Sequence, residues 1–173
     1  FYEQISAVLA ELPAAIHIFF VDDGSTDGTA AALRAIMASD PRVTVLTLSR
    51  NFGHQAALTA GLDASQGDFA ISLDGDGQHP PEMIPQMFEL LQQGYDIVQG
   101  QRAEDARSFS FKQITSLGFY ALINRISGTQ MVPGAADFRG MSRQAVEALK
   151  AMPEYHRFLR GMVSWLGYKS VIL

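Results

Sequence analysis

The chain has 173 residues, 47% of them hydrophobic and 18% charged, with a formal net charge of −5. That is a globular balance with one domain as the default and a core able to take about 70% of the unfolded surface out of water; the acidity argues against a nucleic-acid partner. The absence of cysteine excludes disulfides, zinc–thiolate sites and thiol nucleophiles, and no apolar run approaches the roughly 18 residues of a membrane span.

In chain order, helical and strand periodicities alternate. Tyr2, Ile5, Val8, Leu9 and Leu12 recur at helical spacing, and Pro13 closes that helix. Ile16 to Val21 reads as a buried strand, Asp22 to Thr29 as a turn feeding a helix through Ala30 to Met37, with Ser25 or Thr26 as N-cap. Val43 to Leu48 is a second strand, Ser49 to Gly53 a loop, and Gln55 to Ala64 a short helix. Phe69 to Leu73 is a third strand and Asp74 to His79 a loop. Pro80-Pro81 then opens a helix whose apolar face carries Met83, Ile84, Met87, Phe88 and Leu91. Tyr95 to Val98 is a fourth strand. The polar segment Gln101 to Lys112 predicts a mobile loop, and Phe109 to Ile126 is unusually apolar for a surface helix. Helices over Gln144 to Met152 and Tyr155 to Leu166 follow the segment Gly134 to Met141. The alternation argues for an α/β layer fold with a mostly parallel sheet, in which ligands bind beyond the carboxyl ends of the strands.

The polar motifs fall at those ends. Val21-Asp22-Asp23-Gly24-Ser25-Thr26-Asp27-Gly28-Thr29 sets two carboxylates side by side after a strand. Their repulsion calls for compensation, which a nucleotide's ring N–H, its ribose hydroxyls and a nearby cation would provide. A turn and N-cap cluster explains the same residues locally. Asp74-Gly75-Asp76-Gly77-Gln78-His79 is the most informative stretch. Hard divalent cations take oxygens from one or two carboxylates and from substrate phosphates, and such a cation neutralises a departing diphosphate. Alone this Asp-x-Asp is a weak signal; about 50 residues after the first acidic turn, it is much stronger.

Three further motifs are less specific. Ser49-Arg50-Asn51-Phe52-Gly53-His54-Gln55 would set Arg50 and backbone N–H groups near phosphates at a helix start, with His54 a satisfied structural polar residue. In Gly134-Ala135-Ala136-Asp137-Phe138-Arg139 the small residues admit close backbone approach, and Asp137 is either a base, an orienting group or half of a local pair with Arg139. Glu154 to Gly161, followed by Trp165, is either an amphipathic helix turning cations toward phosphate or membrane or an ordinary surface helix; each arginine taken singly favours the latter.

Taken together, these motifs resemble family-2 glycosyltransferases of GT-A fold, and most closely the polyprenyl-phosphate glycosyltransferases: the dolichyl-phosphate mannose synthase-like enzymes and the bacterial polyprenyl-phosphate glucosyltransferase group. The phrases VDDGSTDGT, SRNFGHQAALTAGLD, LDGDGQHPPE, GAADFRGMSR and YHRFLRGMVSWLGY stand in that family's order and spacing. The resemblance implies a three-layer α/β/α domain over residues 1–173, lacking the family's N-terminal strand and any C-terminal membrane helices. It implies Mg2+ or Mn2+ as cofactor on Asp74 and Asp76, with Gln78 as a further polar ligand. Asp22, Asp23 and Ser25, with Gly75, Arg50 and Arg102, would hold the nucleotide-sugar, Arg102 as a mobile phosphate-binding residue. Asp137 and Arg139 would serve the acceptor, and Arg157 and Arg160 would form its basic helix.

The implied partners are a UDP or GDP sugar donor, an undecaprenyl or dolichyl phosphate acceptor and a membrane surface at the cytoplasmic face, with homo-oligomerisation open. The expected reaction is inverting displacement of a hexose onto the polyprenyl phosphate, catalysed by Asp76, Asp137 and Arg139. The competing readings are a family-2 enzyme acting on a sugar or glycan hydroxyl, which needs Asp137 as a true base, and a phospho-receiver or inactive nucleotide-binding domain.

Overall fold

The computed structural model describes residues 1–101, 135–154 and 157–173, and for Ala135 and Ala136 the backbone alone. Arg102, most of the predicted loop to Lys112, the apolar stretch Phe109 to Ile126, Gly134, Tyr155 and His156 lie outside the described residues.

Helix α1 (Tyr2–Ala10) is followed by β1 (Ile18–Asp22), α2 (Thr29–Ser39) and β2 (Val43–Thr47). The two strands pair in parallel, from Ile18 opposite Val43 to Asp22 opposite Thr47; Val43, Thr44, Val45 and Thr47 are β-branched and suit a pleated surface. Helix α2 starts later than the cap signal predicts, with Gly28 rather than Ser25 or Thr26 at its N-cap. Side chains of the acidic turn fold back instead: Asp22 Oδ1 accepts the Ser25 N–H at 3.0 Å and Asp27 Oδ1 the Thr29 N–H at 2.9 Å. Such local bonds hold the chain in a turn rather than a helix.

A four-stranded sheet in the order β3-β5-β4-β6 forms from β3 (Phe69–Ser72), β4 (Ile97–Gln101), β5 (Ala135–Ser142) and β6 (Ser170–Ile172). Strand β5 runs antiparallel to β3 and β4, and β6 runs parallel to β4. Strands β3, β4 and β6 therefore share one direction and β5 alone reverses it. A strand's own residues do not specify its direction, which depends on the path of the chain before it. Helices α3 (His54–Ala64) and α4 (Ile84–Gln92) precede β4, and α5 (Arg143–Ala151) and α6 (Leu159–Trp165) precede β6. The segment Gly134 to Met141, unassigned from its pattern, is mostly β5, because it interleaves polar with apolar residues on a strand buried on both sides.

Alternation along β5 divides the core. Phe138 packs with Val98 and the α4 residues Ile84, Met87 and Leu91. Met141 faces the other way, with Ile97, Leu62 of α3, Ala145, Val146 and Leu149 of α5, and Leu159, Met162 and Val163 of α6. The sheet is thus covered on both faces, as predicted for a layered α/β domain. Ser142 caps α5, accepting the Ala145 N–H at 3.2 Å while donating to Asp96 at 2.8 Å. Among the described residues no helix is long and apolar enough to cross a membrane. Leu149 is 1% exposed at the centre of the α5–α6 side, so Leu149→Ala should lower stability by about 2–5 kcal/mol, read as a fall in the denaturation midpoint at constant m-value.

Candidate active site

The β3–β5 register builds the site. Ser72 lies opposite Arg139, and its hydroxyl donates to the backbone carbonyls of Asp137 at 2.9 Å and Arg139 at 3.3 Å. Continuing that antiparallel register two residues past Ser72 brings Asp74 level with Asp137. The acid leaving one strand and the acid entering the next therefore meet at one rim of the sheet.

Asp137 is 2% exposed and held from several sides. Arg160 of α6 donates from Nε to Oδ1 at 3.0 Å and from Nη2 to Oδ2 at 2.9 Å, a two-point grip. His54, first residue of α3, places Nε2 2.8 Å from Oδ2; a carboxylate only accepts, so that nitrogen carries the proton. The same Nε2 lies 3.6 Å from Asp74 Oδ1. Gln55 adds a longer contact to Oδ2 at 3.4 Å, and its other amide atom accepts the Leu159 N–H at 3.0 Å, tying the start of α6 to the start of α3. Burial pushes the Asp137 carboxyl up, but Arg160 and then His54 outweigh it and leave the group below its ordinary range.

Arg139 is 3% exposed. Its Nε donates to Gln99 Oε1 at 2.7 Å, directly across the β4–β5 ladder. Burial lowers its guanidinium to about 10, with the charge of Asp137 acting against the fall; it remains a cation at neutral pH. The local Asp137–Arg139 pairing weighed from sequence gives way to Asp137–Arg160 and Arg139–Gln99 contacts, both across tertiary space. Arg157, the other predicted basic residue of this region, pairs instead with Asp63 at 3.1 Å.

The first acidic turn joins the same rim through the loop before α3. Asp23 accepts the N–H of Phe52 at 2.8 Å and of Gly53 at 2.9 Å, so its carboxylate shapes the loop that presents His54 one residue later. Gly24 has φ +69, and a Cβ there would sit 2.4 Å from the backbone carbon of Arg50; only glycine lets the two loops touch. Asp22 is 3% exposed, and its Oδ2 is buried with no hydrogen-bond partner among the described residues. Arg50 donates to the Asn51 carbonyl at 3.1 Å and lies 4.0 Å over the Phe52 ring.

The third loop carries Asp74, half-buried at the end of β3, then Gly75 and the exposed Asp76. Asp76 Oδ1 accepts the Gln78 N–H at 2.9 Å. The described residues contain no group of three or more His, Asp or Glu placed to hold a metal. An Mg2+ or Mn2+ ion takes one or two protein carboxylates and its other oxygens from phosphates and water, so the donor set of Asp74 and Asp76 would fit one. Arg102 lies outside the described residues.

Comparison with known proteins accords with this fold. The profile of glycosyl transferase family 2 matches residues 2–150. The bactoprenol glucosyl transferase of Shigella phage SfV is 40% identical over the whole chain, which covers 56% of that protein. A prophage bactoprenol glucosyl transferase homolog of Escherichia coli is 42% identical over 158 residues, 91% of this chain and 52% of its own length. Among solved structures, the mannosyltransferase PcManGT of Pyrobaculum calidifontis, in complex with GDP-Man and Mn2+, superposes with a TM-score of 0.65 at 19% identity, over 99% of this chain and 50% of that one. Staphylococcus aureus TarS gives 0.61 at 17% identity, over 99% and 54%. The layered α/β architecture shared with these solved structures defines the class as the GT-A glycosyltransferase fold. The chain belongs to glycosyl transferase family 2, and it spans about half the length of the curated relatives it matches.

The acids expected from sequence meet at one rim, and the pattern leaves their partners open. His54, expected as a satisfied polar residue, is satisfied by Asp137; Arg160, expected in a basic acceptor-side helix by resemblance and as a surface charge taken singly, grips Asp137; Gln55, His79 and Gln99 have no role assigned from sequence. His54 and Gln55 adjoin a glycine loop at the start of a helix, where polar side chains reach the rim of a sheet; that position was the available signal. Replacing Arg160 by Gln removes the foremost influence lowering Asp137. In the parent a depressed carboxylate stabilises the fold above its unfolded pKa, and that contribution is lost as pH falls through the folded value. In Arg160→Gln the acid limb of thermal stability should therefore begin at higher pH, as read by melting curves across pH 3–7.

Proposed function

We propose that the protein containing this chain transfers a hexose from a nucleoside-diphosphate sugar to a polyprenyl phosphate, with inversion, in a metal-dependent reaction. The observation that carries this reading is the state of Asp137. A general base works best with a pKa near the working pH. Asp137 instead is paired with the Arg160 guanidinium and hydrogen-bonded by His54, which hold it below the ordinary carboxylate range. An acceptor hydroxyl would find only a weak base there. A phosphate monoester, already anionic near neutral pH, needs none.

In this reading an acceptor phosphate oxygen forms the new bond to the anomeric carbon, and the bond from that carbon to the diphosphate breaks, its electron pair leaving with the nucleoside diphosphate. Asp22 supports the donor side, because its unpartnered buried Oδ2 suits a nucleotide N–H or hydroxyl; Ser25 shapes the turn that presents it, and Asp23 holds the neighbouring Phe52–Gly53 loop. Asp74 and Asp76 would hold the cation, with Gln78 beside them. When bound, that cation offsets the charge developing on the leaving diphosphate. Asp137 orients Arg160 at the acceptor side, and Arg139 adds a fixed positive charge behind it; preorganised charge of this kind lowers a barrier without reorganisation. Arg50 and Arg102 remain proposed donor-phosphate contacts.

The names of the bactoprenol relatives support the lipid-phosphate acceptor, as do the large apolar side chains at the two ends of α6, Phe158 at 54% and Trp165 at 64% exposure. They suit an apolar chain or a membrane surface, which supports a membrane face as the place where the intact protein acts. The Mn2+ of the PcManGT complex supports a divalent cation in this fold.

Two measurements test the proposal. Asp76→Ala in the intact protein should abolish transfer while leaving the melting temperature close to the parent's, since Asp76 is exposed; turnover near the parent's refutes the metal reading. Short prenyl phosphates should accept sugar where free sugars and glycans do not, and the reverse preference overturns the acceptor assignment.

A further inference from the structure

The Asp74–His79 loop carries a device that the proposed reaction leaves unused. Glycines at 75 and 77 flank Asp76, and Gly77 has φ +75, so the loop's own sequence holds its two carboxylates loosely. Its last residue compensates. His79 is 2% exposed, and its Nδ1 accepts the backbone N–H of Asp74 at 3.0 Å, closing the loop on itself. Its ring stacks on Phe138, centroids 5.2 Å apart and planes 16° from parallel. Phe138 stands between Asp137 and Arg139 on β5 and packs into the core against α4.

Because Nδ1 accepts, the ring proton sits on Nε2, and that atom has no hydrogen-bond partner among the described residues. The protein thus retains a buried imidazole with one polar atom unused, where an apolar ring would fill the same space without that penalty. The Asp74 carboxylate stays outside this bond: its Oδ2 is 3.7 Å from Nδ1, and a nitrogen whose lone pair is taken forms no ion pair. His79 therefore binds the main chain of Asp74 and leaves its carboxylate available.

We infer that His79 is a positioning residue for the cation site, clamping the start of the Asp74-Gly75-Asp76 loop to the β5 strand so that both carboxylates are preset before metal and diphosphate arrive. This rests on the metal reading of Asp74 and Asp76 given above. Contacts of this type orient ligands rather than supply them, and losing one weakens metal binding by about ten- to a hundredfold.

The test compares Mn2+ affinity, read by electron paramagnetic resonance titration of the intact protein with UDP or GDP present, across three substitutions. His79→Phe keeps the stack and loses the acceptor; it should melt near the parent and bind Mn2+ about tenfold or more weakly. His79→Asn sets an acceptor at the place of Nδ1 and should restore most of the affinity, whereas His79→Gln sets one at the place of Nε2 and should not. Parent-like affinity in His79→Phe overturns the proposal, provided Asp76→Ala has lost the ion; if Asp76→Ala binds as the parent does, the metal reading is what fails. Should His79→Phe not fold, equal affinity in the Asn and Gln variants is the overturning result. In the parent, nitrogen-15 spectra of labelled histidine should show His79 protonated on Nε2 alone, and a proton on Nδ1 removes the basis of the inference.

Discussion

The site depends on one buried carboxylate having enough partners. Asp137 sits on an interior strand at 2% exposure, where an unpaired charge would be strongly destabilising. Its partners come from distant parts of the chain: Arg160 from α6, His54 and Gln55 from the first turn of α3. Satisfying Asp137 therefore fixes where those two helices begin. Gln55 repeats the constraint by accepting the Leu159 N–H with its other amide atom. A requirement of charge thus becomes a requirement of architecture.

The same network sets the chemistry that the rim can support. A carboxylate gripped at two points by a guanidinium and bonded to an imidazole is a poor proton acceptor and a good anchor. Arg160 is paired with it and Arg139 stands two residues on along the same strand, whereas the loops of Asp22 and Asp74 carry carboxylates, so charge is graded along the rim. Such a gradient matches a reaction joining an anionic acceptor to a donor whose own anionic leaving group is held beside a cation, which is the reaction proposed here. His54 stands between the two, bonded to Asp137 at 2.8 Å and 3.6 Å from Asp74.

Glycine has opposite effects in the two acidic loops. At Gly24 it permits backbone contact with Arg50 and Asn51 that any side chain would block, which tightens the junction of the first and second loops. At Gly75 and Gly77 it loosens the Asp74–Asp76 segment, and tertiary contacts through His79 and Phe138 restore the order. Local sequence thus shows that a loop is free to adopt unusual conformations, but not which one it holds.

From the sequence alone, the alternation of periodicities fixed the α/β class, and the Asp-Asp-Gly-Ser and Asp-Gly-Asp turns marked loops that meet at one rim of the sheet. Those features are legible because they arise from local rules: residue spacing, turn chemistry and the repulsion of adjacent carboxylates. The direction of β5, the pairing of Asp137 with Arg160 rather than Arg139, and the roles of His54, Gln55 and His79 were decided only in the tertiary structure. Each of these depends on which segments the strand register brings together, and contacts spanning 23 to 104 residues of chain leave no periodicity behind. Local bonding propensities specify the elements; the need to pair buried charge specifies how they meet.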